Sequence, residues 1–416
     1  MARFSVRFLG CKVSQADATL IRDALLDAGH EEAEREQAEV HVVNTCALTV
    51  GAEKKSRKES RRAARGGATF VTGCAVNLNR DQFAGPGVTP VPSSAERAAD
   101  EIVARLARVP GAGACADDGM RPRGRTRAFL KVQNGCDYRC AFCIIPTTRG
   151  PAESRPMERV LDDARRRIAE GHPELVLTGI NIGTWRDPAG RGLSHLIRRV
   201  GALEGLGRLR VSSIEPGDVD DDLLAALADT TVAAPHLHVP LQSADPQILA
   251  AMGRTYTVGE FRRAAERDRA ALPALNLTTD AIIGFPGEDE PAFERTCGLV
   301  EELGMSKVHV FPYSPRPGTP AAGLPDTIPA ELKKERAARL RDLSDRLGMA
   351  HRTSRRGSED RVLIEAIHED GSRSGLAADY TRVVLPPGPE RAGEFVAVRI
   401  AGVAGVHLAG EVIAHA

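Results

Sequence analysis

From residue 128 to residue 312 the sequence alternates short apolar strands with amphipathic helices. Strand patterns fall at 129–133, 175–178, 209–213, 236–241, 277–283 and 308–311. Helical runs at 157–170, 193–203, 220–228, 258–271 and 290–303 lie between them. Parallel strands need crossovers of this kind. Six βα units in one stretch predict a partial (β/α)6 barrel rather than an open Rossmann sheet.

The flanks differ from this centre. The N-terminal part reads as strands at 5–9, 40–43 and 68–72 with helices at 14–28 and 53–65. That pattern predicts a parallel α/β domain. Ser93 is placed to cap one more helix, reaching Arg108. Residues 109–127 are rich in Gly, Pro, Arg and Asp and read as a linker. A helix dense in Lys and Arg covers 330–349. The tail carries strand-like runs at 361–367, 381–385, 395–400 and 408–413, which predict a small all-β domain. The expected division is 1–108, linker 109–127, 128–350 and 351–416.

Composition removes several function classes. Lys and Arg number 56, as do Asp and Glu, so the formal net charge is zero. A bulk polycation is excluded, but local basic patches are not. No apolar stretch is long enough to span a membrane, and residues 1–10 read as a strand rather than a leader. A cytoplasmic protein without a membrane partner is expected. Eight cysteines in such a setting point to metal or catalysis rather than disulfides.

Three of them, Cys136, Cys140 and Cys143, follow the first barrel strand. Barrel enzymes keep their chemistry at that face. Three thiolates in one loop suit a soft metal centre with an open coordination position. A structural zinc is the plainer alternative, although no second knuckle follows. Cys11, Cys46 and Cys74 each sit just past a strand of the N-terminal domain. Strand ends of an open α/β sheet line one crevice, so these thiols can meet there. Three buried packing cysteines are the alternative. Cys115 falls in the linker, and Cys297 reads as a packing residue.

The C-x3-C-x2-C spacing resembles that of radical S-adenosylmethionine enzymes. Further segments carry a narrower resemblance: Gly10-Cys11-Lys12, Asn44-Thr45-Cys46, Thr72-Gly73-Cys74, Thr178-Gly179-Ile180-Asn181, Ser213-Ile214-Glu215-Pro216 and His238-Val239-Pro240-Leu241-Gln242-Ser243. Together with Gly284-Phe285-Pro286-Gly287 they look like the methylthiotransferases. Gly10-Cys11-Lys12-Val13 and the run from Phe311 to Thr319 look most like the branch acting on N6-threonylcarbamoyladenosine in tRNA. Ser14 departs from the Asn usual there.

The resemblance implies a methylthiotransferase N-terminal domain, a radical-SAM barrel and a C-terminal TRAM domain. It implies two 4Fe–4S clusters and S-adenosylmethionine. Cys136, Cys140 and Cys143 would hold the radical-generating cluster, and Cys11, Cys46 and Cys74 the sulfur-donating one. The implied reaction places a methylthio group on C2 of the modified adenosine beside the anticodon. A flavodoxin or ferredoxin would supply the electron. Gly179, Asn181, Glu215 and Gln242, at strand ends, are candidate S-adenosylmethionine contacts. Helix capping or loop tying is the alternative for each. Gly284–Gly287 is either a wall under adenine or a tight turn.

Basic runs at 54–62 and 333–341 are candidate RNA contacts, with a solvated helix face as the alternative. The small β-domain is expected to help hold tRNA. Rival functions are methylthiotransferase action on isopentenyladenosine or on a ribosomal-protein aspartate. A non-catalytic iron–sulfur RNA-binding protein is the rival of another class.

Overall fold

The computed structural model describes residues 1–107 and 126–415. Most of the expected linker, with Cys115 and Arg108, lies outside the described residues.

The N-terminal domain is a five-stranded parallel sheet in the order β2-β1-β3-β4-β5. Its strands are β1 (Arg3–Phe8), β2 (Glu31–Glu32), β3 (Val40–Thr45), β4 (Ala68–Gly73) and β5 (Val88–Pro90). β3 is central and buried throughout, which is why it reads as an apolar run. Helices α1 (Lys12–Asp27) and α4 (Ala95–Leu106) cover one face through Ile21, Leu25, Ala98 and Ile102. Helix α2 (Val50–Ala63) and the short α3 (Cys74–Leu78) cover the other. Ser94, not Ser93, caps α4 by accepting from the Arg97 amide. Thr49 caps α2, so that helix starts three residues before Glu53.

The central unit holds six parallel strands: β6 (Arg127–Asn134), β8 (Glu174–Gly179), β9 (Arg208–Val211), β10 (His236–His238), β11 (Asn276–Ile283) and β12 (Lys307–Pro312). A two-residue antiparallel strand, β7 (Glu153–Ser154), flanks β6. The loop after β6 ends in the single-turn helix α5 (Ile145–Arg149). Helices α6 (Met157–Ala169), α7 (Leu193–Gly201), α8 (Asp221–Asp229), α9 (Pro246–Ala251), α10 (Val258–Ala271) and α11 (Glu290–Glu302) return the chain. β10 is shorter than the run at 236–241 because Pro240 offers no ladder N–H; contact with β11 resumes at the Gln242–Ala281 bridge. The β9 and β10 halves meet where the Ile214 amide donates to the His238 carbonyl at 3.0 Å. No ladder joins β12 back to β6 among the described residues, so the barrel is open on that side.

Alternation decides what fills it. Leu130, Val132, Leu175, Leu177, Leu237 and Leu277 face the helices and form the main core. Their neighbours Lys131, Arg210, His238, Asp280 and His309 therefore face inward. α1 packs against β6 and β8.

Helix α12 (Ala330–Ser354) runs past residue 350 into the tail. There β13 (Glu359–Ile367), β14 (Arg373–Leu376), β15 (Arg382–Leu385), β16 (Phe395–Ala404) and β17 (His407–His415) close into a barrel. Val362, Ile364, Val383, Val398 and Leu408 fill it. This tail floors the central barrel at the amino ends of its strands. Arg208 and Arg210 donate to the carbonyls of Leu376 (3.0 Å) and Ala377 (2.7 Å), and Asn276 to that of Asp379 (2.9 Å). The Tyr380 ring lies 3.9 Å under the Arg210 guanidinium. No described helix is long and apolar enough to cross a membrane.

Candidate functional site

Cys11 caps α1 after β1, Cys46 follows β3, and Cys74 opens α3 after β4. β1, β3 and β4 are sheet neighbours, so the three thiols converge. Two glycines permit the approach. Gly10 has φ +120°, and a Cβ there would lie 2.8 Å from the Cys46 sulfur. Gly73 has φ +95°, and its Cβ would lie 2.2 Å from Asn44 Oδ1. The Ser56 hydroxyl of α2 accepts from the Cys46 amide at 3.1 Å and holds that loop. Burial, helped by the neighbouring Cys74 and Cys11, pushes the Cys46 thiol up to about 11. Burial also raises Cys74, against the pull of Arg149.

The second trio lies in the loop after β6. Gly135 has φ +64° and comes so close to Pro151 that a Cβ would lie 1.8 Å from its carbonyl oxygen. The Cys136 amide donates to the Gly150 carbonyl at 3.1 Å, and the Cys143 amide to that of Cys140 at 3.0 Å. Burial drives the Cys143 thiol to about 12, and Cys136 is raised for the same reason. Such thiols keep their protons until a positive centre replaces them, which is how metal binding couples to proton release.

Sulfurs around one tetrahedral zinc lie roughly 3.8 Å apart. Among the described residues, the group whose ligand atoms all lie within 4.8 Å of one another is His238, Asp280 and His309; neither cysteine trio closes that far. All-sulfur trios spaced in this way suit an iron–sulfur cluster with an open position. The histidine group is hydrogen-bonded already: His238 Nε2 lies 3.1 Å from Asp280 Oδ1 and its Nδ1 2.9 Å from Thr278 Oγ1.

Two arginines that sequence reading missed join this chemistry. Arg149 Nε donates to Cys74 Sγ at 3.0 Å, and Arg254 Nη1 donates to Cys140 Sγ at 3.1 Å. Arg254 also holds the Glu215 carboxylate. Glu215 is therefore tied to the arginine that reaches the Cys140 sulfur. Asn181 and Gln242 both have positive φ, +48° and +65°, strained for side-chain-bearing residues. Asn181 Oδ1, Gln242 Oε1 and Asp218 Oδ2 are buried with no hydrogen-bond partner. Three orphaned acceptors beyond the carboxyl ends of β8, β9 and β10 fit a bound polar cofactor. A Cβ on Gly179 would lie 2.6 Å from the Gln133 carbonyl, so its glycine serves close strand packing. Phe285 is fully buried edge-on to Tyr313, so its ring packs inward from the Gly284–Gly287 segment. Cys297 sits on α11 partly packed against the main core, away from both trios.

The two basic runs differ. On α2 and just past its end, Lys54, Arg57, Lys58, Arg61, Arg62 and Arg65 line one shallow surface cavity. Of these, only Arg57 has a carboxylate partner among the described residues. On α12, Lys333 is held by Asp326, Arg336 by Glu288 and Glu290, and Arg339 by Glu290 and Glu294. These pairs commit three of the five cations of the run 333–341, while Lys334 lies exposed with Glu331 3.8 Å away and Arg341 has no carboxylate partner among the described residues.

Residues 130–300 match the radical SAM superfamily, and residues 3–87 match uncharacterized protein family UPF0004. The chain is 35% identical to the threonylcarbamoyladenosine tRNA methylthiotransferase MtaB of Bacillus subtilis, covering 96% of this chain and 94% of that one. It is 32% identical to the Thermotoga maritima protein of the same name, with the same coverage. Among solved structures, the radical S-adenosylmethionine methyltransferase TsrM from Kitasatospora setae shares the fold, with TM-score 0.57, 16% identity, and 77% and 75% of the two chains covered. The chain belongs to the threonylcarbamoyladenosine tRNA methylthiotransferase family, within the radical SAM superfamily.

Proposed function

We propose that this chain methylthiolates C2 of N6-threonylcarbamoyladenosine beside the anticodon of tRNA, as a cytoplasmic enzyme holding two 4Fe–4S clusters. The observation that carries this reading is the pair of cysteine trios at strand carboxyl ends, bridged by Arg149 of the barrel unit reaching Cys74 of the N-terminal sheet. When bound, the barrel cluster supplies the electron that breaks the sulfonium bond of S-adenosylmethionine, and the other cluster supplies the sulfur.

The chain's own residues position these parts. Cys136, Cys140 and Cys143 hold one cluster, and Arg254 donates to the Cys140 sulfur. Cys11, Cys46 and Cys74 hold the other. Asn181, Gln242 and Asp218 offer acceptors to the ammonium and hydroxyl groups of S-adenosylmethionine. The α2 cations neutralise phosphates of the anticodon stem-loop. An unstacked loop base is the geometry that brings C2 within reach. A low-potential flavodoxin or ferredoxin delivers the electron.

Mass analysis of tRNA nucleosides tests this. A strain lacking the chain should accumulate threonylcarbamoyladenosine without its 2-methylthio form, and the intact gene should restore it. Loss of methylthio-isopentenyladenosine instead would transfer the reading to that substrate.

A further inference from the structure

Lys12 is the first residue of α1, beside Cys11. Its ammonium reaches inside the open barrel. The Nζ atom lies 5.4 Å from the Tyr380 ring on the floor, and it shares electrostatic surroundings with Arg127 on β6, Arg210 on β9 and Asp280 on β11. Yet Lys12 is exposed. A cation that is ringed by strands and still exposed stands in an unfilled cavity, unlike the packed interior of a complete barrel.

Every other charge nearby is committed. Arg127 Nε lies 2.8 Å from Glu365, Arg210 Nε 2.7 Å from Glu174, and Asp280 pairs with His238. Lys12 has no ion pair among the described residues. The two neighbouring guanidiniums place it in a positive field that an incoming anion relieves. On the open-side strand β12, His309 and Phe311 face the same way, and both are exposed; Phe311 is 44% exposed. Phe311 lies nearer the carboxyl ends, where the cysteines are, and His309 lies two residues deeper, a step of about 7 Å.

We infer that this cavity receives the threonylcarbamoyl arm, with Lys12 and His309 binding its carboxylate and Phe311 lying beside the purine. This rests on the proposed substrate. The chemistry is discriminating because the threonyl carboxylate is anionic, whereas an isopentenyl arm carries no charge. An apolar arm would leave the Lys12 ammonium desolvated and unpaired, which disfavours it.

The test compares two anticodon stem-loops, one with threonylcarbamoyladenosine and one with plain adenosine, binding to the reconstituted holoenzyme. Wild type should bind the modified loop tighter. Lys12→Met should lose about tenfold of that preference, the scale of one charge-assisted hydrogen bond, with affinity for the plain loop unchanged. Lys12→Arg should keep part of it. His309→Gln, which lies far along the chain from both trios, carries the same test should Lys12→Met load less iron. A Lys12→Met enzyme that is fully loaded and keeps the whole preference, with His309→Gln doing likewise, overturns the inference. A wild type with no preference overturns the substrate reading itself.

Discussion

The Arg149 guanidinium donates to Cys74 Sγ at 3.0 Å and to Asp17 Oδ2 at 2.8 Å, joining the barrel loop to the N-terminal sheet. Asp17 also pairs with Lys131 of β6 at 2.7 Å. Burial raises the Asp17 carboxyl, but Lys131 and Arg149 outweigh it and hold it below the usual carboxylate range. The contact thus both joins the two units and sets the electrostatic surroundings of one thiol.

Removing one partner of a buried pair leaves an uncompensated charge, at a cost of about 3–5 kcal/mol. Arg149→Met should therefore lower the denaturation midpoint of the apo-protein and reduce iron loading at the N-terminal trio. Urea titration and iron analysis check this. An unchanged midpoint with full iron would show that the contact contributes nothing.

Anaerobic reconstitution should load about eight irons, two cubanes' worth. Replacing Cys136, Cys140 and Cys143 together by Ala should keep about half and abolish 5′-deoxyadenosine formation. Replacing Cys11, Cys46 and Cys74 should also keep about half, yet leave cleavage of S-adenosylmethionine running while methylthio transfer stops. Equal loss of cleavage in both variants would contradict separate roles. Cys297→Ala should change neither reaction.

Sequence reading reached the cysteines because their logic is local. Strand ends of one parallel sheet converge, so Cys11, Cys46 and Cys74 announce a common point without any knowledge of side-chain direction. Arg149 and Arg254 stayed hidden because they stand 75 and 114 positions from the sulfurs they touch, in a chain full of arginine. An Arg directly before a turn glycine, as in Arg149-Gly150, was the faint signal. β14 was missed for a different reason. Arg373-Ser374-Gly375-Leu376 has no apolar alternation, and Gly375 is there because a Cβ would lie 2.0 Å from the Leu363 carbonyl. The inward reach of Lys12 depends on α1 docking against β6 and β8 of the barrel, which no periodicity encodes.

The contrast between the two basic helices gives a salt-dependence prediction. Each phosphate contact adds about 0.7–0.9 to the slope of log affinity against log salt. Lys54, Lys58, Arg61 and Arg62 have no carboxylate partners among the described residues, so converting them to Gln should weaken tRNA binding and flatten that slope. Arg339→Gln on α12 breaks pairs with Glu290 and Glu294 and should leave the slope alone. A flatter slope from Arg339→Gln would count Arg339 among the RNA contacts.

Acid should loosen the tail. Burial raises the Asp379 carboxyl, but His351 and Arg355 overcome this and hold it well below the usual range. A depressed carboxyl stabilises the fold fully above the unfolded value, about pH 4, and loses that contribution as pH falls through the folded value. Asp379→Asn should be less stable than wild type at pH 7, and the gap should shrink as the pH drops below about 4. Denaturation midpoints of both proteins from pH 3 to 7 measure it. A gap that does not change with pH would assign the effect to lost packing.

The same contacts decide what deleting the tail does. A detachable RNA-binding appendage would come off cleanly, leaving a soluble barrel with weaker tRNA affinity. Here Arg208 and Arg210 lie buried beside Glu174 and are satisfied by carbonyls of Leu376, Ala377 and Ala378. Deletion from Ser358 strips those acceptors and the Tyr380 ring from the barrel floor at once. Each buried donor left unsatisfied costs about 1–3 kcal/mol, so losing several at once takes a large part of the roughly 5–15 kcal/mol margin of an ordinary domain. The truncated protein should therefore be recovered aggregated, or with its barrel cluster lost, even though all six cysteines lie upstream. Tyr380→Ala in the full chain should lower thermal stability and spare the tail strands, whose core of Val362, Val383 and Val398 it does not touch. A soluble truncation with full iron would separate the tail from the barrel and leave RNA contact as its one contribution.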